Sequence, residues 1–231
     1  YKSKSYTFNQ VLSYNRTFGN HNIAALIGHE NYQLKTSDLW ATRTGYKITS
    51  TELVAGAIAE GSSSSSDEYT LEGYFGQLNY SYANKYFASA SYRYDGSSRF
   101  SSSSRWGGFW SVGASWRMKE ENFMKNVKWL DDLKLKVSYG EQGNDAIGTY
   151  YGYQSLFSID DTNNGTLNGA WYSQLPNEDL KWEKNQNLNV GVEFALFNNR
   201  VRGGVEYFMR KSENLLFSVP IPQSSGISSK M

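Results

Sequence analysis

Three pairs of adjacent carboxylates, Glu120-Glu121, Asp131-Asp132 and Asp160-Asp161, are the residues whose type could do acid–base work. Neighbours on a strand point to opposite faces, so none of the three is a catalytic couple by spacing, and they read as solvated turn residues. DDTNNG at 160–165 echoes a calcium loop, but Trp171 stands where a bidentate glutamate is needed. His21 and His29 have no cysteine and no spaced partner for a metal or a triad, and read as turn or wall histidines. Asn15-Arg16-Thr17 and Asn164-Gly165-Thr166 match only the glycosylation pattern, and GYFGQ and GEQGN lack the strand–turn–helix setting of a phosphate loop. No catalytic constellation, metal site or cofactor is expected, and the chain reads as a non-enzyme.

Planar side chains are the contact chemistry that remains. Trp40 falls in a long polar stretch, and Tyr150, Tyr151, Tyr153, Trp171, Tyr172 and Trp182 in or beside another. Such faces either stack on a ligand or pack long loops onto one another. Packing is favoured, because ordered long loops need small cores of their own. Trp171 is the first choice for an exposed contact.

The elements that carry these residues are strands. Residues 86–117 read YFASASYRYDGSSRFSSSSRWGGFWSVGASWR, two alternating runs around a Gly/Ser-rich break. Period-2 alternation predicts about eight strands, near 5–18, 22–34, 73–82, 86–95, 106–117, 133–139, 187–196 and 201–210, the second of mixed phase. Gly19-Asn20, Ala83-Asn84-Lys85 and Phe197-Asn198-Asn199 read as tight hairpin turns. Long polar loops are expected near 35–72, 96–104 and 143–183, with the low-complexity GSSSSSDE at 61–68 mobile. KEENFMKNVKWLDDL at 119–133 has helical spacing and predicts one or two turns of helix at the trimmed rim of a meander.

Composition limits the solvent. Of 231 residues 39% are hydrophobic and 16% aromatic, with 18 Tyr, and no run suits a transmembrane helix. A mean hydropathy of −0.61 still permits a membrane barrel, where only alternate strand residues meet lipid. A net charge of +1 without a basic cluster argues against nucleic acid, and zero cysteines rule out disulfides. YKSKSYTF opens strand-like and IPQSSGISSKM closes in polar loop material, so both ends read as cut and the chain as a piece of a longer protein.

Alternation alone also suits a soluble sandwich. Strands of ten or more residues, aromatics near strand ends (Tyr14, Phe18, Tyr82, Tyr86, Tyr94, Trp106, Trp116) and the placement of charge favour a bilayer. Arg93, Asp95, Arg105, Arg117, Lys134, Lys136, Glu193, Arg202, Glu206 and Arg210 share the parity opposite the apolar residues, and Arg16 beside a turn breaks it. A Lys or Arg on the lipid side would cost about 2–4 kcal/mol at the midplane. The fold expected is all-β, a transmembrane antiparallel barrel, with a carbohydrate-binding β-sandwich or a small self-contained structural or adhesive barrel as alternatives.

RYDGSSRF (93–100), RWGGFWSVGASWR (105–117), WLDDLKLKVSYGEQGN (129–144), NEDLKWEKNQNLNVGVEFALFNNRV (177–201) and YFMRKSENLLFSVPIPQSSG (207–226) together resemble the barrel of the SusC/RagA family of TonB-linked outer-membrane transporters. The resemblance covers nearly all of 70–226 and is looser before it. One departure is Phe109-Trp110-Ser111, where the family often has an aromatic-Pro step; the apolar parity at Trp110 is kept. It implies that residues 1–231 are the middle of one large barrel domain whose plug lies outside this chain. It also implies TonB-energised import of oligosaccharides or peptides across the outer membrane, with a SusD-like surface lipoprotein as lid and TonB acting through the absent plug region. On this reading Arg93, Asp95, Lys134, Lys136, Glu193, Arg202 and Glu206 face the lumen and dock the plug. Trp40, Tyr150, Tyr151, Trp171 and Tyr172 are the candidates for substrate or lid contact.

Overall fold

Eight long strands in one antiparallel meander carry most of the computed structural model, which describes residues 1–160, 169–222, 224, 226, 227, 229 and 230. In sequence order the strands are β1 (Lys2–Phe18), β2 (His21–Tyr46), β3 (Gly56–Tyr82), β4 (Tyr86–Ser97), β5 (Trp106–Arg117), β6 (Leu130–Asn144), β7 (Leu156–Asp160), β8 (Gly169–Gln174), β9 (Glu183–Leu196) and β10 (Val201–Glu213). β7 and β8 form a separate hairpin, so the large sheet runs β1-β2-β3-β4-β5-β6-β9-β10; β11 (Val219–Pro220) pairs with β12 (Ser229–Lys230). The calcium-loop echo at 160–165, the second carboxylate of Asp160-Asp161 and the Asn164-Gly165-Thr166 pattern lie outside the described residues.

Register turns alternation into two faces. One row crosses all eight strands as Phe18, His21, Tyr82, Tyr86, Trp116, Leu135, Val192 and Val205. The same face carries Tyr92, Val112, Val137, Val190 and Tyr207, all exposed. No second sheet covers it among the described residues, which corrects the sandwich alternative. The sheet is also open, with β1 and β10 at its edges, so a small closed barrel is corrected as well. The mixed phase of β2 resolves: Ile23, Ala25 and Ile27 share the apolar face, and Ala24 and Leu26 the other.

Aromatic rings bound the apolar band. Tyr82, Tyr86 and Trp116 stack side by side with centroids 6.3 Å apart, and Tyr74, Tyr94 and Trp106 form the upper ledge at 6.2 and 5.0 Å. Eight residues separate Tyr86 from Tyr94, about 26 Å along the strand. The band also slides across the ladder. On β1 it runs from Phe18 up to Phe8 and Tyr6; on β10 it runs from Val201 to Met209, four to eight register positions lower. Over seven strand steps that drift is a little under one residue per strand. With about 3.3 Å per residue against about 4.8 Å between strands, it corresponds to a tilt of roughly 30–40°. A tilted strand then spans about 22 Å of depth between ledges, the height of a membrane barrel's hydrocarbon band. Outward-facing Glu141 and Lys184 (3.4 Å apart) and the Lys211–Glu213 pair lie above this band, and Arg16 sits at its lower edge over the Phe18 ring.

The two rims differ. At the trimmed rim, Gly19, Ala83, Asn84, Phe197, Asn198 and Asn199 all have positive φ, as tight hairpin turns require. The helix expected over 119–133 is instead two 3₁₀ turns, Met118–Glu120 and Asn122–Met124. Backbone bonds here step by three residues, from Glu121 N to Met118 O, Met124 N to Glu121 O and Val127 N to Met124 O, and Lys119 Nζ binds the carbonyls of Met124 and Val127. Glu121 clasps it to the wall: its carboxylate accepts from Tyr86 Oη (2.5 Å), Trp116 Nε1 (3.2 Å) and Lys85 Nζ (3.3 Å). These donors hold the Glu121 carboxyl below its ordinary pKa.

At the elaborated rim, the loop expected over 35–72 is mostly ladder. β2 and β3 stay paired as far as Tyr46 and Gly56, with Ser62–Ser66 opposite Ala41–Ser37, which corrects the mobile reading of 61–68. Above the bilayer both faces are wet, so a backbone ladder holds without apolar alternation. A small core of Phe100, Phe109, Ile147, Leu180 and Trp182 stands on the polar side of the wall at this rim, and Phe100 is fully buried.

Val137→Lys should cost the full-length barrel about 2–4 kcal/mol in vesicle-based unfolding, whereas Ser138→Lys one position on is tolerated. Phe100→Ala removes about 3–5 kcal/mol of local packing. It should speed hydrogen exchange over 98–105 while leaving heat-modifiable barrel migration intact. Because the Glu121 pKa is lowered on folding, its stabilisation is present above the ordinary carboxylate range and lost as pH falls through the folded value. Glu121→Gln should therefore flatten the acid limb of the unfolding profile.

Candidate functional site

The polar face of the wall is the surface with chemistry to offer. Its positions alternate with the apolar rows, so every lumen-facing residue is placed by the same ladder that places its lipid-facing neighbour. Near the trimmed rim Lys134 stands opposite Glu193, Lys136 Nζ meets Glu193 at 2.6 Å, and the Lys134 ammonium lies 5.7 Å from the Phe87 ring. Glu206 and Arg202 are exposed on the same face of β10. A trough runs between Lys134, Lys136 and Glu206, floored by Ser89, Ser138 and Asn189.

Midway up, the wall carries hydroxyls, an amide and the Arg210 guanidinium. Ser91 and Ser111 share a 2.7 Å hydrogen bond, and Arg210 Nε donates to Asn187 Oδ1 at 3.0 Å. Higher still, Arg93 Nε donates to both carboxylate oxygens of Asp95 at 2.7 Å and its Nη2 reaches Glu30 Oε2 at 3.4 Å. The guanidinium lies over the Phe75 ring at 5.4 Å. Asp95 is buried, so its charge is satisfied within the wall.

At the elaborated rim a polar knot ties the loops down. Asp145 accepts from Ser97 Oγ (2.6 Å) and Tyr69 Oη (2.8 Å) and pairs with Arg99 (3.5 Å). Arg99 lies over the rings of Tyr69 and Tyr150, at 4.5 and 5.2 Å. Burial first, and then the Asp145 charge, pushes the Tyr69 phenol well above its ordinary pKa. Trp182 Nε1 donates to Arg105 O at 2.8 Å beside the buried Phe100.

The five loop aromatics fall into three settings. Tyr150 and Tyr151 are half-buried in packing: Tyr150 against Tyr69, and Tyr151 through its hydroxyl, which accepts from Glu68 N at 3.2 Å. Trp171 and Tyr172 lie on the β7–β8 hairpin, each 48% exposed, with the Tyr172 ring tilted against Phe157 at 4.5 Å. Trp40 is exposed on the β2–β3 hairpin across from Ser63, its ring beside Gly61. Among the described residues no cluster of His, Asp or Glu suits a metal ion. The wall can hydrogen-bond hydroxyl and amide groups weakly at many points; its strongest charges already face one another.

Parity reasoning missed Phe75 and Phe109, apolar residues on the wet face. Their signal was the glycines beside them: a Cβ on Gly28 would collide with Phe75, and one on Gly143 with Phe109. Each ring reaches with its far edge over backbone that glycine leaves bare. Phe100, Tyr69, Arg99 and Asp145 carried no local signal, because their partners are distant in the chain: Asp145 meets Arg99 across 46 residues and Tyr69 across 76, and Phe100 packs on Trp182.

The family profile described as "TonB dependent receptor-like, beta-barrel" matches residues 1–229. TonB-dependent receptor P3 of Formosa agariphila is 32% identical over all of this chain and 24% of its own length. TonB-dependent receptor SusC of Bacteroides thetaiotaomicron is 36% identical over 70% of this chain and 17% of its own. The solved structure of the RagAB peptide transporter superposes with a TM-score of 0.90 at 30% identity, covering 99% of this chain and 26% of that one. The siderophore receptor PirA of Pseudomonas aeruginosa, at 14% identity and a TM-score of 0.58, shares the fold. The chain thus spans about a quarter or less of the curated relatives it matches. With its lipid-height band, tilted ladder and two unlike rims, it belongs to the TonB-dependent receptor β-barrel family, on the SusC/RagA side, in the bacterial outer membrane.

Proposed function

We propose that this chain is a wall segment of a TonB-energised outer-membrane importer of large nutrients, oligosaccharides or peptides, that works with a SusD-like surface lipoprotein. The observation that carries the reading is the division of the wall into an apolar band of bilayer height and an opposite face of hydroxyl and amide groups that also carries paired charges, with Arg210 bound to a neutral amide. Such a face offers a passing solute many weak contacts and no deep trap. The self-paired charges, Arg93–Asp95–Glu30 and Lys136–Glu193, suit a surface against which a plug seats and from which it parts without leaving a bare charge. Exposed Trp171 and Tyr172, with Trp40 beyond them, are the proposed contacts for substrate or lid. Tyr150 and Tyr151 serve packing. No covalent step is involved. Relatives named as receptors and as a peptide transporter support the same reading.

The test is uptake by the full-length receptor, expressed with its lipoprotein in a TonB-competent outer membrane and offered labelled oligosaccharides and peptides. Accumulation of one class, abolished by a protonophore, is expected. The Trp171→Ala/Tyr172→Ala protein should lose about fivefold in uptake or lid retention with its barrel intact, the size of one aromatic anchor. Uptake that survives loss of the proton gradient, or never exceeds that of cells lacking the receptor, overturns the proposal.

A further inference from the structure

The connection between β5 and β6, residues 118–129, is far more exposed and apolar than a tight periplasmic turn needs to be. Phe123 is 64% exposed and Trp129 56% exposed. Phe123 meets the ring of Trp116 edge-on at 6.5 Å, and Trp116 belongs to the lower aromatic ledge of the lipid-facing band. The segment therefore continues the membrane-facing surface downward and outward, just beyond the hydrocarbon edge.

Its charges are unevenly used. Glu120 pairs with Arg117, and Glu121 is occupied by Lys85, Tyr86 and Trp116. Lys119 is spent on the carbonyls of Met124 and Val127, holding the two 3₁₀ turns in shape. Lys125 and Lys128 are exposed and have no anionic partner among the described residues. Two free ammonium groups thus lie between two exposed aromatic residues in the chain, on a segment clasped to the wall by Glu121. Aromatic rings favour the headgroup level, and free lysines there are drawn to anionic lipid.

We propose that residues 118–129 form an interfacial lipid site, in which Phe123 and Trp129 dip into the headgroup zone of the periplasmic leaflet. Lys125 and Lys128 bind the phosphate of an anionic phospholipid there. The occupant is a lipid because the Phe123 ring is continuous with the lipid-facing ledge through Trp116; a soluble anion would leave the exposed rings in water. The site rests on the outer-membrane setting of the wall and is independent of what the barrel imports. It fixes the depth of the barrel at the rim where hairpin turns are too short to do so.

The test uses the full-length protein carrying a fluorophore at Asn126→Cys, in vesicles holding doxyl-labelled phosphatidylglycerol or doxyl-labelled phosphatidylcholine. Half-quenching should need a lower fraction of phosphatidylglycerol than of phosphatidylcholine. Lys125→Gln and Lys128→Gln should each reduce that preference on the order of fivefold, while the Lys125→Arg/Lys128→Arg protein keeps it. Phe123→Ser should weaken quenching by both lipids. Heat-modifiable migration reports whether each variant still forms its barrel. Equal quenching of the wild type by the two lipids, or a preference untouched by both glutamine substitutions in an intact barrel, overturns the site. So does displacement of the preference by millimolar glycerol phosphate at constant ionic strength, which would make it a soluble-anion site.

Discussion

Hydrocarbon offers a peptide group no hydrogen-bond partner, and every other feature of this chain follows from that. Backbone inside the bilayer must be paired strand to strand, so the ladder crosses it without interruption. The register of the eight-stranded sheet shifts between Thr42 and Arg43 and between Leu130 and Asp132, the first far above the apolar band and the second at its lower edge. An uninterrupted ladder has a period of two, and the period alone assigns Val137 to lipid and Ser138 to the lumen. Charge then has one face to go to within the band, and Lys134, Lys136, Glu193 and Glu206 all take it.

The two rims solve the edge of that constraint differently. Below, the chain turns back as soon as it reaches water, and residues in left-handed conformation such as Asn84 and Asn198 make the return tight. The polar ends of Tyr86 and Trp116 share the Glu121 carboxylate, so one side chain ties the ledge to the connection beneath it. Above, the strands run on into water and the loops fold over the lumenal side. The Phe100–Phe109–Trp182 core and the Asp145 knot make those loops part of the wall. A surface that captures solute or partner needs such loops to be held, and few local contacts are available to hold them.

Much of this was legible in advance. The strands from Tyr86 to Arg117, the turn at Phe197-Asn198-Asn199 and the charge parity of Arg93 and Lys136 all follow from neighbours in the chain. The errors share a cause. The β2–β3 extension looked like loop because both its faces are wet, so no alternation marked it. The 119–133 segment looked helical because apolar spacing cannot register that Lys119 caps carbonyls five and eight residues on. Phe75 and Phe109 went unnoticed because a wet face was assumed to be wholly wet.

What the amino-acid order determined by itself was which way each side chain points, since facing in a strand depends only on the residue before and the residue after. Depth is another matter. Whether Glu141 faces lipid or headgroup, or Arg16 the midplane or its margin, depends on how each strand is slid against the next. That sliding is a property of the pairing across the whole sheet, and only the folded ladder, with its tilt of roughly 30–40°, decided it. The same holds for Asp145, whose partners Tyr69, Ser97 and Arg99 become neighbours only when the sheet brings distant strand ends to one rim.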